Sequence, residues 1–151
     1  MPKQKTIWKK GRGKLGVLSP LIGSWVAEGE SPMGKLKCTR IFEPILGGSY
    51  IQLTAKWEFS KSSYHEHAII GIHEGILSFW SFTSDGKNSQ GIIADGTDVH
   101  PEAICFEAQM PSGIARMIYW PNESGFNWAV ESKTKKGWNR FTIHHYKCLS
   151  K

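Results

Sequence analysis

A chain of 151 residues has the size of one domain and can bury a single core. Its hydrophobic content of 40% and aromatic content of 12% exclude a disordered chain, whose apolar surface would not offset the entropy cost of folding. The net charge of +6 suggests a nucleic-acid partner, but the surplus lies in residues 1–14, which hold six basic residues and no acidic one. The rest of the chain is balanced, so we predict no specific nucleic-acid partner.

The charge distribution also predicts the domain organisation, with a basic, flexible leader at residues 1–14 and one barrel domain at residues 15–151. No apolar run reaches the roughly 20 residues that cross a bilayer as a helix, and the short apolar stretch at residues 15–22 lacks the features of a signal peptide. Cys38, Cys105 and Cys148 are odd in number and widely spaced. This spacing favours free thiols and predicts a cytoplasmic protein.

The segment at residues 14–22 is predicted to form a short helix that closes one end of the barrel, since Leu15, Leu18 and Ile22 fall on one helical face. After Gly23, short β-rich segments alternate with turn residues, which predicts an all-β, up-and-down antiparallel barrel of about ten strands. The predicted strands are residues 25–30, 35–45, 49–59, 64–73, 76–83, 88–94, 103–110, 114–120, 126–133 and 138–147.

The connections between these strands have the composition of tight turns. Glu74-Gly75, Asp85-Gly86 and Lys136-Gly137 place glycine where a two-residue hairpin needs positive φ. The longest connection, residues 95–102 with Pro101, is predicted to cap an end of the barrel.

The third and fourth predicted strands allow a register to be chosen, because paired residues share one face of a sheet. Pairing Phe59 with Tyr64 gives one nearly apolar face, which includes Trp57 and Glu66. The opposite face then carries His65 and His67. Their spacing suits two metal ligands on one strand, but no third ligand is evident, so we predict no metal site.

Extending this register through the Gly47-Gly48 turn places Cys38, Arg40 and Phe42 inside the barrel. We expect Arg40 to pair with Glu66, because a buried carboxylate needs a charged partner. A register slipped by one residue would send both to solvent.

The C-terminal hairpin can be matched in the same way, and apolar matching turns His145 inward and His144 outward. Arg116 is inward in one register of its own hairpin and outward in the other. The orientations of Trp80 and Phe82 stay open, because both faces of their strand are mixed.

Several short motifs resemble those of calycin barrels, the group that contains lipocalins and fatty-acid-binding proteins. Leu21-Ile22 precedes Gly23-Ser24-Trp25, the run at residues 42–51 follows, and Gly137-Trp138 comes before Tyr146. Together they are similar to a bacterial calycin-like family known mainly as a domain of unknown function. Members often end in Tyr-x-Arg, where this chain has Tyr146-Lys147-Cys148.

Nitrobindins are also ten-stranded calycins, and a resemblance to them implies a haem ligand from a histidine of the last strand. Aligning Tyr146-Lys147 with the similar dipeptide there puts Phe141 at the ligand position. We therefore predict no cofactor, and haem bound by His145 stays an alternative.

No nucleophile elbow, phosphate loop or zinc-protease motif occurs in the sequence, so a binding module is favoured over an enzyme. The predicted ligand is a small hydrophobic or amphipathic molecule in the barrel interior. Two other classes stay open: an enzyme that uses Glu66 and His145, and a homodimeric interaction domain. The candidate lining residues are Arg40, Trp57, Glu66, Phe79, Phe106, Arg116, Trp128 and His145.

Overall fold

The computed structural model describes residues 8–31 and 34–150. Over these residues the chain forms a closed antiparallel barrel of ten strands, in which each strand pairs with its neighbours in sequence and β1 pairs with β10. The strands are β1 Gly23–Ser31, β2 Gly34–Ile45, β3 Tyr50–Glu58, β4 Ser63–His73, β5 Ile76–Thr83, β6 Asn88–Ala94, β7 Ile104–Met110, β8 Gly113–Pro121, β9 Gly125–Thr134 and β10 Gly137–Ser150. The predicted all-β barrel is confirmed.

The turn chemistry explains the short connections. In the β4–β5 hairpin Glu74 has a φ of 51° and Gly75 a φ of 81°, which is the pair of positive values that a two-residue hairpin of the right twist requires. No described helix is long and apolar enough to cross a membrane.

The start of the described chain differs from the prediction. Residues Gly16–Leu21 form a short 3-10 helix that includes Pro20, because proline lacks the N–H that an α-helix would use. Leu18 and Leu21 are fully buried in the core. Residues 1–7 of the predicted leader lie outside the described residues, while Trp8 donates a hydrogen bond to the carbonyl of Glu102 at 3.0 Å.

One end of the barrel is filled by aromatic side chains. The Trp25 indole donates to the carbonyl of Leu21 at 2.8 Å, and its ring meets Phe126 edge-on at 4.8 Å. Phe126 in turn stacks on Tyr146 at 5.1 Å. These contacts tie the 3-10 helix to β1, β9 and β10.

The β3–β4 register preserves the predicted faces but is displaced by two residues. Trp57 pairs with Tyr64 and Ala55 with Glu66, because Phe59 already enters the turn, where its N–H bonds the carbonyl of Ser62. A shift of two residues leaves each side chain on its original face. The inward positions of Cys38, Arg40 and Phe42 are confirmed, with all three buried.

The C-terminal hairpin corrects the prediction for the histidines. Its register shifts between Arg140 and Thr142, so Phe141 is an extra residue in β10 and reverses the phase of the residues after it. His144 then pairs with the inward Trp128, and His145 pairs with Asn127. His145 is exposed, and its Nδ1 lies 2.6 Å from the side-chain oxygen of Asn127.

The long connection after β6 does not act as predicted either. Its Val99 and Ala103 pack on Cys105, Ile118 and Ala129, residues that alternate with the inward side chains of β7, β8 and β9. Residues 95–103 therefore cover the outer face of these strands, which buries a second small core there.

Arg116 belongs to this outer face, and it forms what we call the outer charge cluster with Asp98, Glu131 and Arg140. Its guanidinium binds both carboxylate oxygens of Asp98, at 2.9 and 2.7 Å, and Glu131 at 2.8 Å. Arg140 donates to the second oxygen of Glu131 at 2.8 Å. The side chains of Arg116 and Glu131 are only 2% and 4% exposed, so these two charges pair with protein groups away from solvent.

We expect Arg116→Met to lower the free energy of unfolding by about 3–5 kcal/mol, because it leaves the buried Glu131 carboxylate without its main partner. Asp98→Asn is the control, with an expected loss of about 1 kcal/mol or less, since the Asp98 side chain is 54% exposed. Urea denaturation measures both. Equal losses in the two variants would contradict a buried pair between Arg116 and Glu131.

Candidate functional site

The barrel wall opens on one side, between its first and last strands. β1 and β10 pair at three positions, Ser24 with Ser150, Trp25 with Cys148 and Val26 with Lys147. Beyond Val26, β1 continues its pairing with β2 as far as Ser31. The described parts of β1 and β10 therefore separate toward the end of the barrel that is opposite Trp25.

A cleft of about 590 Å³ lies at this separation, and we call it the β1–β10 cleft. Its inner wall is formed by Leu36, Cys38, Trp57 and His144, while Phe59 and Phe141 border it. Trp57, Phe59 and Phe141 are aromatic side chains with mainly apolar surface. The cleft thus connects solvent with side chains that face the barrel interior, as ligand sites in barrel mouths do.

Behind this wall lies Arg40, the largest charged side chain of the interior, with no exposed surface. Its Nη1 donates to the Tyr119 hydroxyl at 3.0 Å, and its Nε donates to the Tyr146 hydroxyl at 3.2 Å. The guanidinium carbon lies 4.1 Å from the ring centre of Trp128 and 5.5 Å from that of Trp57. Arg40 is thus enclosed by neutral hydroxyls and aromatic faces, which attract a cation.

The predicted ion pair of Arg40 with Glu66 does not form as a direct contact. Glu66 lies two strands away, with Ala55 between them in the register, and its Oε2 accepts a hydrogen bond from Ser81 at 2.5 Å. The carboxylate still acts on Arg40 through its field. The structure therefore leaves the guanidinium without a carboxylate in hydrogen-bond reach.

The titratable groups around Arg40 are held in their neutral forms. Burial, together with the charge of Arg40, lowers the pKa of His144 from 6.5 to about 4. Burial raises the pKa of Cys38 to about 11 and that of Tyr146 to about 12. The groups in direct contact with Arg40 are consequently uncharged at neutral pH.

The predicted lining residues separate into three groups. Arg40, Trp57, Glu66 and Trp128 face the interior near the cleft. The inward rings of Phe79 and Phe106 meet edge-on at 5.5 Å and fill the core beside β6. The other two, Arg116 and His145, lie on the outer face, which corrects the interior position expected for them. His145 still lines the β1–β10 cleft.

The sequence interpretation missed His144, Tyr119 and Tyr146, which complete the surroundings of Arg40. The His144 ring lies 5.1 Å from that of Trp128, and its Nδ1 is 3.4 Å from the Tyr146 hydroxyl. One signal was available in the sequence: Tyr146 and His144 lie on the same face of their strand, opposite to Ile143. Placing Tyr146 inside the barrel would have placed His144 inside as well, which requires the bulge at Phe141.

These positions limit the chemistry that the site can perform. Glu66 and His145 lie on opposite faces of the barrel, so they do not form one acid–base site. The haem alternative had relied on His145, which points away from the interior. Among the described residues, no group of three or more histidine, cysteine or acidic side chains is arranged to hold a metal ion.

Comparison with known proteins adds no assignment for this site. No protein-family model matches the chain, and no curated protein matches it.

The lowered pKa of His144 makes stability depend on pH. The unfolded chain binds a proton at His144 near pH 6.5, whereas the folded chain binds it only near pH 4. Its contribution to the free energy of unfolding is therefore complete above pH 6.5 and falls as the pH falls toward 4.

Replacing His144 with Gln should remove this part of the pH dependence, and the exposed His145→Gln serves as the matched control. Urea denaturation between pH 7 and pH 4.5 measures it for each variant. Parallel profiles for wild type and His144→Gln would contradict a neutral, buried His144.

The three cysteines should differ sharply in reactivity, because only the thiolate attacks thiol reagents. Burial raises the pKa of Cys38 to about 11 and that of Cys105 to about 12, while Cys148 is exposed. Dithiobis-nitrobenzoate at pH 8 should modify one thiol of the folded protein rapidly and the others only in urea. Rapid labelling that persists in Cys148→Ser would contradict this burial.

Proposed function

We propose that this protein is a binding module that holds one small, partly apolar molecule in the β1–β10 cleft. The observation that carries the proposal is the cleft itself, since it joins solvent to inward aromatic side chains at a break in the barrel wall. Its volume of about 590 Å³ lies within the usual range for small-molecule sites, roughly 300–1,000 Å³.

The chemistry of the lining supports binding over catalysis. Trp57, Phe59 and Phe141 offer apolar contact area in the cleft. Polar side chains also line it, from Glu28, Glu30 and His145, and a mainly apolar lining with some polar groups is typical of ligand pockets. The groups that acid–base chemistry would use are held neutral, since the pKa of His144 is lowered to about 4 and that of Cys38 is raised to about 11. Neither titrates near neutral pH, where a general acid or base works best.

We further propose that the barrel is of the calycin type. The support is its meander order, in which every strand pairs with its sequence neighbours, together with the Gly23-Ser24-Trp25 opening. In this assignment the 3-10 helix takes the place of the helix that closes one end.

Blocking the cleft tests the proposal. Thr142 is inward and lines the cleft, whereas Thr54 is exposed on the outer face of β3. We expect the neutral dye phenylnaphthylamine to fluoresce on binding to the wild type, and Thr142→Trp to weaken this binding roughly tenfold or more by filling the space that the dye needs. Thr54→Trp adds the same side chain outside and should leave the affinity unchanged.

The dye titration is followed by fluorescence excited outside the tryptophan band. Absence of dye binding to the wild type would refute the proposal. Equal binding by Thr142→Trp and Thr54→Trp would refute the cleft as the site.

A further inference from the structure

Two buried donors near the cleft have no acceptor. Among the described residues, Arg40 Nη2 and Trp128 Nε1 are the buried side-chain nitrogen or oxygen atoms without a hydrogen-bond partner. The Tyr119 hydroxyl lies near Trp128 and accepts the hydrogen bond from Arg40 Nη1, but it does not meet Trp128 Nε1 with hydrogen-bond geometry. Unpaired buried donors are rare in folded proteins, because each carries the cost of its lost hydration.

The two donors belong to one place in the fold. The guanidinium of Arg40 stacks 4.1 Å from the ring centre of Trp128, so both unpaired N–H groups lie in the same layer of the barrel. Both are donors, and one carries a positive charge. An oxygen anion is the group that satisfies such a pair best.

The contrast with Arg116 shows what Arg40 lacks. Arg116 has carboxylates on two sides, Asp98 at 2.7 Å and Glu131 at 2.7 Å. Arg40 contacts only hydroxyls and rings, and Glu66 is engaged by Ser81. A fully buried guanidinium without an anion in contact is costly, and a bound acid would remove that cost.

The cleft leads to this layer. Cys38 lies two residues from Arg40 on the same face of β2, Trp57 faces its guanidinium, and His144 packs on Trp128. All three also form the inner wall of the β1–β10 cleft. The cleft is therefore lined by the side chains that contact Arg40 and Trp128.

The packing beyond Arg40 limits the length of the ligand. Phe42, Leu53 and Phe126 are 1% exposed or less, so the core is filled there. A long alkyl chain has no room past the acid group, whereas a flat ring fits among the rings of Trp57, Phe59 and Phe141 at the cleft.

We propose that the ligand is a compact aromatic acid, whose carboxylate accepts hydrogen bonds from Arg40 Nη2 and Trp128 Nε1 while its ring lies in the β1–β10 cleft. This inference rests on the proposed function and specifies the ligand class of the same site.

Calorimetric titration with two probes that differ only in the acid group tests this inference. Cinnamate has the carboxylate, and cinnamyl alcohol has the same ring without charge. We expect cinnamate to bind wild type roughly tenfold or more tightly than the alcohol, since a charged acceptor gains more from the two donors. Octanoate, an alkyl acid, should bind more weakly than cinnamate.

Trp128→Phe removes one donor and keeps a ring beneath Arg40, and it should lower cinnamate affinity roughly tenfold while leaving that of cinnamyl alcohol unchanged. Trp120→Phe is the matched control, because Trp120 packs on the outer face with Arg140. Arg40→Met should abolish the preference for the acid. If that variant does not fold, Trp128→Phe still decides.

The outcomes distinguish this inference from the proposed function. Equal affinities for cinnamate and the alcohol, or an unchanged cinnamate affinity in Trp128→Phe, would overturn the anion site while dye binding in the cleft persists. Tighter binding of octanoate would overturn the aromatic preference. The proposed function itself would be refuted if Thr142→Trp left dye binding intact.

Discussion

The barrel depends on the short pairing between β1 and β10, because this contact turns a row of ten strands into a closed wall. Only three residue pairs make it, and the aromatic side chains of Trp25, Phe126 and Tyr146 hold it from inside. Gly125 permits their close approach, since a Cβ there would lie 2.5 Å from the Tyr146 carbonyl oxygen. At the other end the two strands separate, and the cleft lies between them.

The same contact fixes the phase of the last strand. Tyr146 must face inward to stack on Phe126, while Arg140 must face outward to reach Glu131. Six residues of strict alternation would put both side chains on one face. The bulge at Phe141 resolves this conflict and brings His144, rather than His145, against the interior.

The two buried arginines carry the same charge but have very different surroundings. Arg116 lies under the 95–103 connection with carboxylates on two sides, so its charge is balanced by the chain itself. Arg40 lies inside among Tyr119, Tyr146 and Trp128, and its Nη2 has no hydrogen-bond partner. The first arrangement stabilises a loop, and the second is the one for which we propose an acceptor from a ligand.

The sequence by itself determined the strands, their antiparallel order and most inward faces, because alternation, turn glycines and short-range pairing are local properties. It placed Arg40, Trp57, Glu66 and Trp128 inside for the same reason. The orientations of His144, His145 and Arg116 and the course of residues 95–103 were decided only by the tertiary structure. A bulge and a loop that folds across the outer face depend on contacts between distant strands, and these contacts leave no periodic signal in the sequence.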